Sequence, residues 1–569
     1  MSKRAGSEAG TWVLAFRSEA LRATDAFREK QDGESTPGMP RLWAHRKFGP
    51  VHAEIDPAFF APGSVTFEDS LMIVRFSIRI LPVFAALALA LPLSWVLSAA
   101  PVPPVSSLPP NAPPPNFLVI LGEAQGWAST SVAMDASVAD SRSPLARTPA
   151  LERLAREGAR FANFYAASPR CTPTRAALFT GKSPTALHMT FVGDSKKDDL
   201  LAAGRRVITP ANVTELAESE ITIAELLKKA GYATAHFGKW HVGKASPTRH
   251  GFDAHDGATT NIGPDGSEEP NPHQSLEITR KGLEFMTLQA QQRRPFYLQI
   301  SHYGGNGSAA ARPETYAGVR RRALPGQEKR VEAAAMTEDM DTSIGQLLDK
   351  LDALGLARNT VVIYTSDHGG KGRLDNAPLS AGKGTVMEGG IRVPLIIRGP
   401  GVAPGLCART QASTVDILPT VAAFARLSSP LPEGVEGGNL VPLLAGGPEL
   451  AGGPEVTVRR NRAEFVVHFP HYDKDAAGPS SSLLLGSEKL IRSFETGTLH
   501  LYNLALDRGE HQDLTPQKRE RAAELDRMLT DYLQSVHAQM PTLNPSFDPQ
   551  APAPEPRKKD NHKRKETAP

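Results

Sequence analysis

Along most of the chain, short segments that are apolar throughout alternate with longer segments whose apolar residues recur at helical spacing. NFLVIL from Asn116, FYLQI from Phe296 and VVIYTS from Val361 are typical of strands buried on both faces. Amphipathic helices are predicted between such strands, for example over residues 274–292 and 333–354. This alternation indicates an α/β fold with a mainly parallel sheet sandwiched by helices.

Capping residues mark the ends of two shorter predicted helices. Thr148 precedes Pro149, which is typical of an N-cap followed by the first helical position, and Gly158 closes the segment. A second helix is predicted to begin at Thr222 and to end at Gly231.

The composition changes near residue 430, where Gly and Pro become frequent. Beyond this stretch the apolar segments are shorter, and one amphipathic helix follows them. We interpret residues 116–445 as the main α/β domain and residues 455–540 as a smaller C-terminal α+β domain with an antiparallel sheet. The composition of residues 545–569 predicts a disordered basic tail.

Residues 80–100 contain no charged side chain, two arginines precede them, and a Pro-rich linker over residues 101–115 follows. This arrangement is typical of a secretory signal. Because such a signal begins a chain, we interpret residues 72–100 as a signal peptide or membrane anchor starting at Met72. Residues 1–71 would then be a mis-assigned or disordered extension. A buried helix is the alternative interpretation.

An export signal predicts that the body of the protein lies outside the cytoplasm, whether periplasmic, secreted or anchored to a membrane facing outward. Contact with a membrane is expected only through the hydrophobic segment, if that segment is retained. Twenty-one uncharged residues are long enough to span a bilayer.

Charge and cysteine content exclude two classes of protein. The net charge is +3, but the last thirteen residues carry six Lys/Arg and two acidic residues, so the preceding chain sums to about −1. Nucleic acid is not expected as a partner, because its binding requires a basic face on a folded element. Two cysteines, Cys171 and Cys407, permit one disulfide but neither a disulfide scaffold nor a Cys-rich zinc site.

Polar clusters follow four of the predicted strands, where an open α/β sheet gathers its ligands. They are GEAQGW, GKWHVG, SHYGGNG and SDHGG. Cys171 opens a further short helix, whose first amide groups favour an anion, and Arg175 follows one turn later. Cationic and acidic side chains around a cysteine suggest an anionic substrate and a metal ion.

The segment CTPTR at residues 171–175 resembles the C-x-P-x-R core of the sulfatase family. Four further strings occur in the family's order: TPALERLAREGARFANFYAASP, GKWH, TSDHG and GKGTVMEGGIRVPLIIRGPG. The segment KLIRSFETGTLHLYNLALDRGEHQDL resembles the family's C-terminal subdomain. The resemblance implies an alkaline-phosphatase-like α/β fold and the hydrolysis of a sulfated small molecule or glycan.

The resemblance also implies roles for individual residues. Cys171 would be converted to formylglycine by a formylglycine-generating or sulfatase-maturating enzyme, and would supply the nucleophile. Arg175 and Lys239 would stabilise the formylglycine oxygens and the sulfate. His241 would be the base, and Lys383 would bind sulfate oxygens. For Cys171 alone, a buried structural thiol is the alternative interpretation, and for the lysines and the histidine it is surface charge.

The metal ligands implied by the resemblance are Glu123, Asp367 and His368, and the usual ion of the family is Ca²⁺. Glu123 stands at the first of two positions where the family has an aspartate pair, and it has an alternative interpretation as a helix cap. The second position is Ala124, which has no ligand atom in its side chain. A second departure is Asn306, which stands where family members often have the histidine that protonates the leaving alcohol.

These departures leave two hypotheses open. The first is an exported sulfuric ester hydrolase that uses formylglycine and a divalent cation. The second is a catalytically impaired sulfatase-like protein that binds sulfated glycans or anions. The intact cysteine motif favours the enzyme, since a binding protein does not need a modifiable cysteine. Hydrolysis of a phosphate ester is a minor third possibility, because sulfate and phosphate have similar shapes.

Overall fold

A computed structural model describes residues 113–193, 204–261, 275–303, 311–371, 376–446, 458–473 and 478–552. The N-terminal extension, the proposed signal peptide, most of the Pro-rich linker, Asn306 and the end of the basic tail lie outside these ranges. Within the described part of the chain, no helix is long and apolar enough to cross a membrane.

The described strands and helices alternate along the first two thirds of the structure. The strands are β1 (Asn116–Gly122), β2 (Ala159–Phe161), β3 (Phe164–Tyr165), β4 (Val207–Ile208), β5 (Ala233–Gly238), β6 (Ala254–His255), β7 (Phe296–Ser301), β8 (Thr360–Ser366), β9 (Leu395–Arg398), β10 (Leu406–Ala408), β11 (Ala412–Ser413), β12 (Phe465–Phe469), β13 (Ser480–Leu485), β14 (Glu488–Ser493), β15 (Leu499–Asn503) and β16 (Thr542–Leu543). The α-helices are α1 (Pro149–Glu157), α2 (Cys171–Thr180), α3 (Ile223–Lys229), α4 (Ser275–Gln292), α5 (Pro313–Arg322), α6 (Val331–Ala353), α7 (Glu388–Ile391), α8 (Ile417–Phe424), α9 (Val441–Leu444) and α10 (Arg519–Ser535).

The large sheet has the strand order β10-β2-β9-β8-β1-β7-β5-β6. All neighbouring pairs are parallel except those that involve β9, which runs antiparallel to both β2 and β8. The predicted mainly parallel sheet is therefore confirmed. The reversed strand was not predicted, because an apolar segment looks the same in either direction.

Helices cover both faces of this sheet. Side chains of β1 alternate between the two cores: Phe117, Val119 and Leu121 pack on one face, and Leu118 and Ile120 pack on the other. The first face is covered by α2, α3 and α8, and the second by α1, α4 and α6. This two-sided burial is the reason why β1 is apolar throughout.

The predicted helix ends are largely confirmed. Thr222 caps α3 through a capping box with Glu225. Thr148 precedes α1, but its side chain does not cap the helix. The backbone N–H groups of Ala150 and Leu151 instead donate to the carboxylate of Asp341, at 2.9 Å each.

The C-terminal region forms a four-stranded antiparallel sheet in the order β12-β13-β14-β15, as predicted. One of its faces packs against α10 through Leu483, Leu490 and Leu529. Its other face packs against the main domain, where Tyr165 and Ile391 contribute to the shared core. Hydrogen-bonded turns continue after β16 as far as residue 552.

Candidate active site

Neighbouring strands of the large sheet end at the same level. Gly122 at the end of β1 lies opposite Ser366 of β8, and Gly238 at the end of β5 lies opposite Ser301 of β7. Because these strands are parallel, the residues that follow them meet at one edge of the sheet. In strand order, these residues are Asp367, Glu123, His302 and Lys239.

Cys171 is the first residue of α2 and is buried. The helix begins after Arg170, whose backbone is extended, and ends at Gly181, whose φ of +68° is left-handed. The Thr174 hydroxyl donates to the Ser168 carbonyl at 2.9 Å and closes the turn in front of the helix. Four possible metal-binding atoms lie within 4.8 Å of one another. They are the Cys171 sulfur, one carboxylate oxygen each of Glu123 and Asp367, and one ring nitrogen of His368.

Arg175 lies one helical turn after the cysteine and is buried. Its Nε and Nη2 donate to Asp367 Oδ2 at 3.2 and 3.0 Å, and Nη2 also donates to Glu123 Oε2 at 3.1 Å. Its Nη1 donates to the carbonyl of Lys239 at 2.5 Å. The guanidinium group therefore joins α2 to three strand ends and holds the two carboxylates in a fixed orientation.

Glu123 lies among the cationic side chains of the site. Its Oε2 accepts a hydrogen bond from Lys239 Nζ at 2.8 Å, and its Oε1 accepts one from Lys383 Nζ at 3.3 Å. The same Oε1 is 3.6 Å from His368 Nε2. The interpretation of Glu123 as a helix cap is wrong, since the next helix begins only at Pro149.

The charges around the site shift the pKa values of its acidic groups. Burial would raise the pKa of the Glu123 carboxyl, but Lys239 and Lys383 hold it well below its ordinary value. Burial and the neighbouring Glu123 carboxylate raise the pKa of Asp367. Burial would also raise the pKa of the Cys171 thiol. The charge of Lys239 outweighs this effect and, with the nearby side chains of His241 and His368, lowers that pKa well below its usual range.

Lys383 is positioned by a close approach between two loops. Its backbone N–H donates to the Gly370 carbonyl at 2.9 Å, and the N–H of Gly369 donates to the Gly390 carbonyl at 2.9 Å. A Cβ atom on Gly369 would lie 1.8 Å from the carbonyl oxygen of Gly389. Glycine is therefore required at position 369. The close approach of the two loops accounts for the glycine pair in each of them.

His241 and Lys239 follow β5. The backbone N–H of Lys239 donates to the Ser301 carbonyl at 2.8 Å, and that of His241 donates to the Thr259 carbonyl at 2.9 Å. His241 has a φ of +60°, a strained conformation for a non-glycine residue. The side chain of His241 is one of the groups that lower the pKa of the Cys171 thiol.

The residues present fit a divalent cation. Glu123, Asp367 and His368 turn one oxygen or nitrogen each toward a common point beside Cys171. The Nε2 atom of His368 is buried and has no hydrogen-bond partner within the described structure. A buried nitrogen that faces carboxylate oxygens is the arrangement expected of metal ligands.

Ala124 departs from this pattern, as the sequence predicted, because it adds no side-chain ligand. Its backbone has a φ of +57°, and its N–H donates to Asp367 Oδ1 at 3.2 Å. The position thus contributes a hydrogen-bond donor where the family contributes a carboxylate. The expected result is a site with less negative charge than that of other family members.

Several histidines near the site are packed in the core. His302 is buried beside the end of β1, with its Nδ1 atom 3.4 Å from the Ser275 hydroxyl. Burial, with a smaller contribution from Arg175, lowers the pKa of His302 to about 4. A lowered pKa favours the neutral imidazole of His302, which is a much weaker acid than an imidazolium. His468 and His471 are also buried.

One contact beside Cys171 could not be predicted from the sequence. Arg170, which precedes Cys171, forms a two-pronged ion pair with Asp473 of the C-terminal region. A Cβ atom on Gly384, next to Lys383, would lie 2.7 Å from the same carboxylate. Asp473 thus contacts the neighbours of two site residues, and only the folded structure brings these segments together.

Both cysteines are free thiols, so the alternative of a Cys171–Cys407 disulfide is wrong. Cys407 lies in β10 at the edge of the sheet, and its thiol donates to the Met134 carbonyl at 3.5 Å.

Known proteins similar to this chain are sulfatases. The family model for sulfatases matches residues 115–427. N-acetylgalactosamine-6-sulfatase of Mus musculus is 31% identical over 403 residues, which cover 64% of this chain and 72% of that protein. Steryl-sulfatase of Mus musculus is 30% identical over 481 residues, which cover 68% of this chain and 72% of that protein.

Solved structures share the fold. Ps i-CgsB in complex with k-i-k-neocarrahexaose superimposes with a TM-score of 0.60 at 21% identity, covering 76% of this chain and 95% of that chain. The PsFucS1 sulfatase from Pseudoalteromonas sp. gives a TM-score of 0.57 at 21% identity, covering 77% of this chain and 92% of that chain.

An alkaline-phosphatase-like α/β fold that gathers a reactive cysteine, two carboxylates and three cationic side chains at one sheet edge defines a sulfuric ester hydrolase. The chain belongs to the sulfatase family.

Proposed function

We propose that this chain hydrolyses sulfate esters of a carbohydrate, with residue 171 as formylglycine and a divalent cation held by Glu123, Asp367 and His368. The observation that carries the proposal is the position of the Cys171 thiol. It lies within 4.8 Å of ligand atoms from all three of those residues, on a helix that begins at the cysteine itself.

Residue 171 and the cation supply chemistry that the unmodified side chains lack. As a hydrated formylglycine, residue 171 would offer a geminal diol. One hydroxyl would lose its proton and attack sulfur, while the sulfur–oxygen ester bond breaks and the alcohol takes up a proton and leaves. The second hydroxyl, once deprotonated, would break the bond to the sulfate and restore the aldehyde. The cation neutralises charge that develops on the sulfate oxygens. Glu123, Asp367 and His368 would hold the cation beside residue 171.

The remaining side chains act on protons and charge. His241, whose side chain helps to lower the pKa of the thiol in the unmodified protein, takes the proton of the second hydroxyl. Lys239 and Lys383 approach Glu123 from two sides, so their ammonium groups lie where a sulfate beside residue 171 needs cations. Arg175 keeps both carboxylates oriented.

A cavity beside the site offers polar groups to a carbohydrate substrate. It has a volume of about 210 Å³ and begins at Glu123 and Ala124. Its wall combines small apolar residues and Met336 with charged and hydroxyl-bearing side chains, which are Ser129, Ser143, Lys329, Arg330, Glu332, Thr337 and Lys371. These polar side chains can bind the hydroxyl and anionic groups of a sulfated sugar.

Two further proposals concern the life of the protein in its host. The intact CTPTR segment implies that a formylglycine-generating or sulfatase-maturating enzyme acts on Cys171 before folding buries it. The segment over residues 72–100 implies export to the periplasm or the medium, or anchoring with the body facing outward.

The test is hydrolysis of a panel of substrates by the purified protein from a host that supplies the maturation enzyme. We expect release of sulfate from sulfated mono- or oligosaccharides, and less from a steryl sulfate at equal concentration. Release of phosphate from the matched phosphate esters, with none of sulfate, would contradict the proposal. Tight binding of sulfated sugars without turnover by fully modified protein would favour the binding-only hypothesis.

A further inference from the structure

The ring of His368 is oriented in a way that a site for calcium, the usual ion of the family, does not explain. The imidazole is buried, and its Nδ1 atom lies 2.9 Å from the carbonyl oxygen of Gly369. A carbonyl only accepts, so Nδ1 carries the hydrogen atom, and in the neutral ring the lone pair is on Nε2. This is the arrangement by which proteins prepare a histidine to bind a metal ion.

The lone pair on Nε2 points to the carboxylates. Nε2 is 3.4 Å from Asp367 Oδ1 and 3.6 Å from Glu123 Oε1, and it has no hydrogen-bond partner among the described residues. Three electron-rich atoms that face one another in a buried site repel unless a positive species lies between them. A metal ion or a proton on Nε2 would remove that repulsion.

Each carboxylate offers only one oxygen to this point. Asp367 Oδ2 is occupied by two donors of Arg175, and Glu123 Oε2 is occupied by Arg175 and Lys239. The oxygens that face Nε2 are Asp367 Oδ1, which also accepts the Ala124 N–H, and Glu123 Oε1, which also accepts from Lys383. Beside residue 171, the protein therefore presents two single oxygens and one nitrogen.

This donor set is a poor match for calcium. Calcium takes six to eight oxygen ligands and often uses both oxygens of a carboxylate. First-row transition ions accept imidazole nitrogen readily, and a catalytic zinc site typically has three protein ligands and an open position. The open position in this site would face residue 171 and the sulfate.

We propose that the site takes a first-row transition dication, with zinc bound more tightly than manganese, and that it selects both over calcium. This inference rests on the proposed function for the existence of a metal site, and it changes the identity of the ion. The residue that sets the preference is His368, and the absence of a carboxylate at Ala124 reinforces it.

The test measures the metal rather than the reaction. The full chain is stripped with a chelator and titrated calorimetrically with Zn²⁺, Mn²⁺ and Ca²⁺. The Mn²⁺ form is examined by pulsed electron paramagnetic resonance for ¹⁴N coupling. We expect zinc and manganese to bind, calcium to bind at least about tenfold more weakly than zinc, and a nitrogen coupling to appear.

Two variants make the result specific. His368→Asn replaces the nitrogen ligand with an amide oxygen. It should remove the nitrogen coupling and lower the affinity for zinc by more than about tenfold. Ala124→Asp adds an oxygen donor and should narrow the gap between calcium and zinc. Thermal unfolding without metal checks that both variants are folded.

Calcium bound more tightly than zinc and manganese would overturn the inference, as would a nitrogen coupling that persists in His368→Asn. No binding of any of the three ions, with only a proton on His368, would also overturn it. Hydrolysis is assayed separately on the same preparations. If hydrolysis persists in a calcium-selective protein, only this inference fails; if fully modified protein does not hydrolyse, the proposed function fails.

Discussion

Glu123 Oε2 accepts a hydrogen bond from Lys239 Nζ at 2.8 Å, and neither side chain is accessible to solvent to a significant degree. A lysine this deeply buried requires a compensating negative charge. Glu123 therefore balances the charge of Lys239 through one oxygen, and we propose that its other oxygen, which accepts from Lys383, also binds the metal ion.

The substitution Glu123→Gln removes the negative charge of this side chain and keeps its shape. The amide keeps the size of the side chain but leaves Lys239 buried without a carboxylate, so the free energy of unfolding should fall by about 3–5 kcal/mol. Metal affinity should fall as well, because one anionic ligand is lost. Urea denaturation and calorimetric metal titration measure the two effects. Glu520→Gln, at an exposed position of α10, is the control. Unchanged stability and metal affinity would show that Glu123 has neither function.

The two free cysteines provide a matched pair for the nucleophile. Cys171→Ala should abolish sulfate release, because no other side chain of the site can form a geminal diol. Cys407→Ala should retain wild-type turnover, because Cys407 lies in β10 at the edge of the sheet. The rate of sulfate release from one sulfated sugar, measured at equal protein concentration, gives the comparison. Turnover by Cys171→Ala at the wild-type rate would exclude the formylglycine mechanism.

Ala124 is the position at which an oxygen ligand can be added. Asp and Asn tolerate the left-handed backbone at this position better than Ala does, so neither substitution should strain the loop. Ala124→Asp should raise the affinity for calcium by about tenfold, which corresponds to ~1.4 kcal/mol of binding free energy. Ala124→Asn has the same shape without the charge and should give a smaller gain. Equal calcium affinity in wild type and both variants would mean that position 124 does not face the ion.

The buried carboxyl group of Asp341, which lies outside the active site, should make the stability of the protein depend on pH. Burial raises its pKa to about 7 in the folded protein, although it accepts two N–H groups from the start of α1. Its ordinary value is 3.8, so between about pH 4 and 7 the folded state binds a proton that the unfolded state has released. Stability from this group is therefore present at low pH and is lost as the pH rises toward 7.

Asp341→Asn removes this titration while keeping one acceptor for the helix. Between pH 5 and pH 8, the wild type should lose up to about 2–3 kcal/mol of unfolding free energy relative to the variant. Chemical denaturation of both proteins at the two pH values measures the difference. An equal pH dependence in the two proteins would show that Asp341 is ionised in the folded state throughout this range.

Much of the fold could be predicted because burial on both faces leaves a clear pattern in the sequence. The strands around Ile120 and Ile363 are apolar throughout, and each is followed by the polar residues of the site. Segments of this kind identify themselves locally. The direction of β9 does not, since it depends on which strands become its neighbours.

The contacts that support the site could not be predicted, because their partners belong to different elements that only the folded structure brings together. Lys489 of β14 is buried between Glu388, at 3.0 Å, and Glu510, at 2.8 Å. Glu388 begins the short helix that follows the Lys383 loop. Taken alone, a lysine in a strand of the C-terminal sheet resembles a solvent-exposed residue. Its burial is decided by the packing of that sheet against the main domain.

The proposed formylglycine mechanism depends most on the chemical state of residue 171. The direct measurement is the mass of the tryptic peptide that contains this residue, taken from protein produced in its native host. The mechanism predicts that this peptide has the mass expected with an aldehyde, or its hydrate, at position 171 in place of the cysteine. A peptide found only as the unmodified thiol, in protein that nevertheless releases sulfate at full rate, would contradict it.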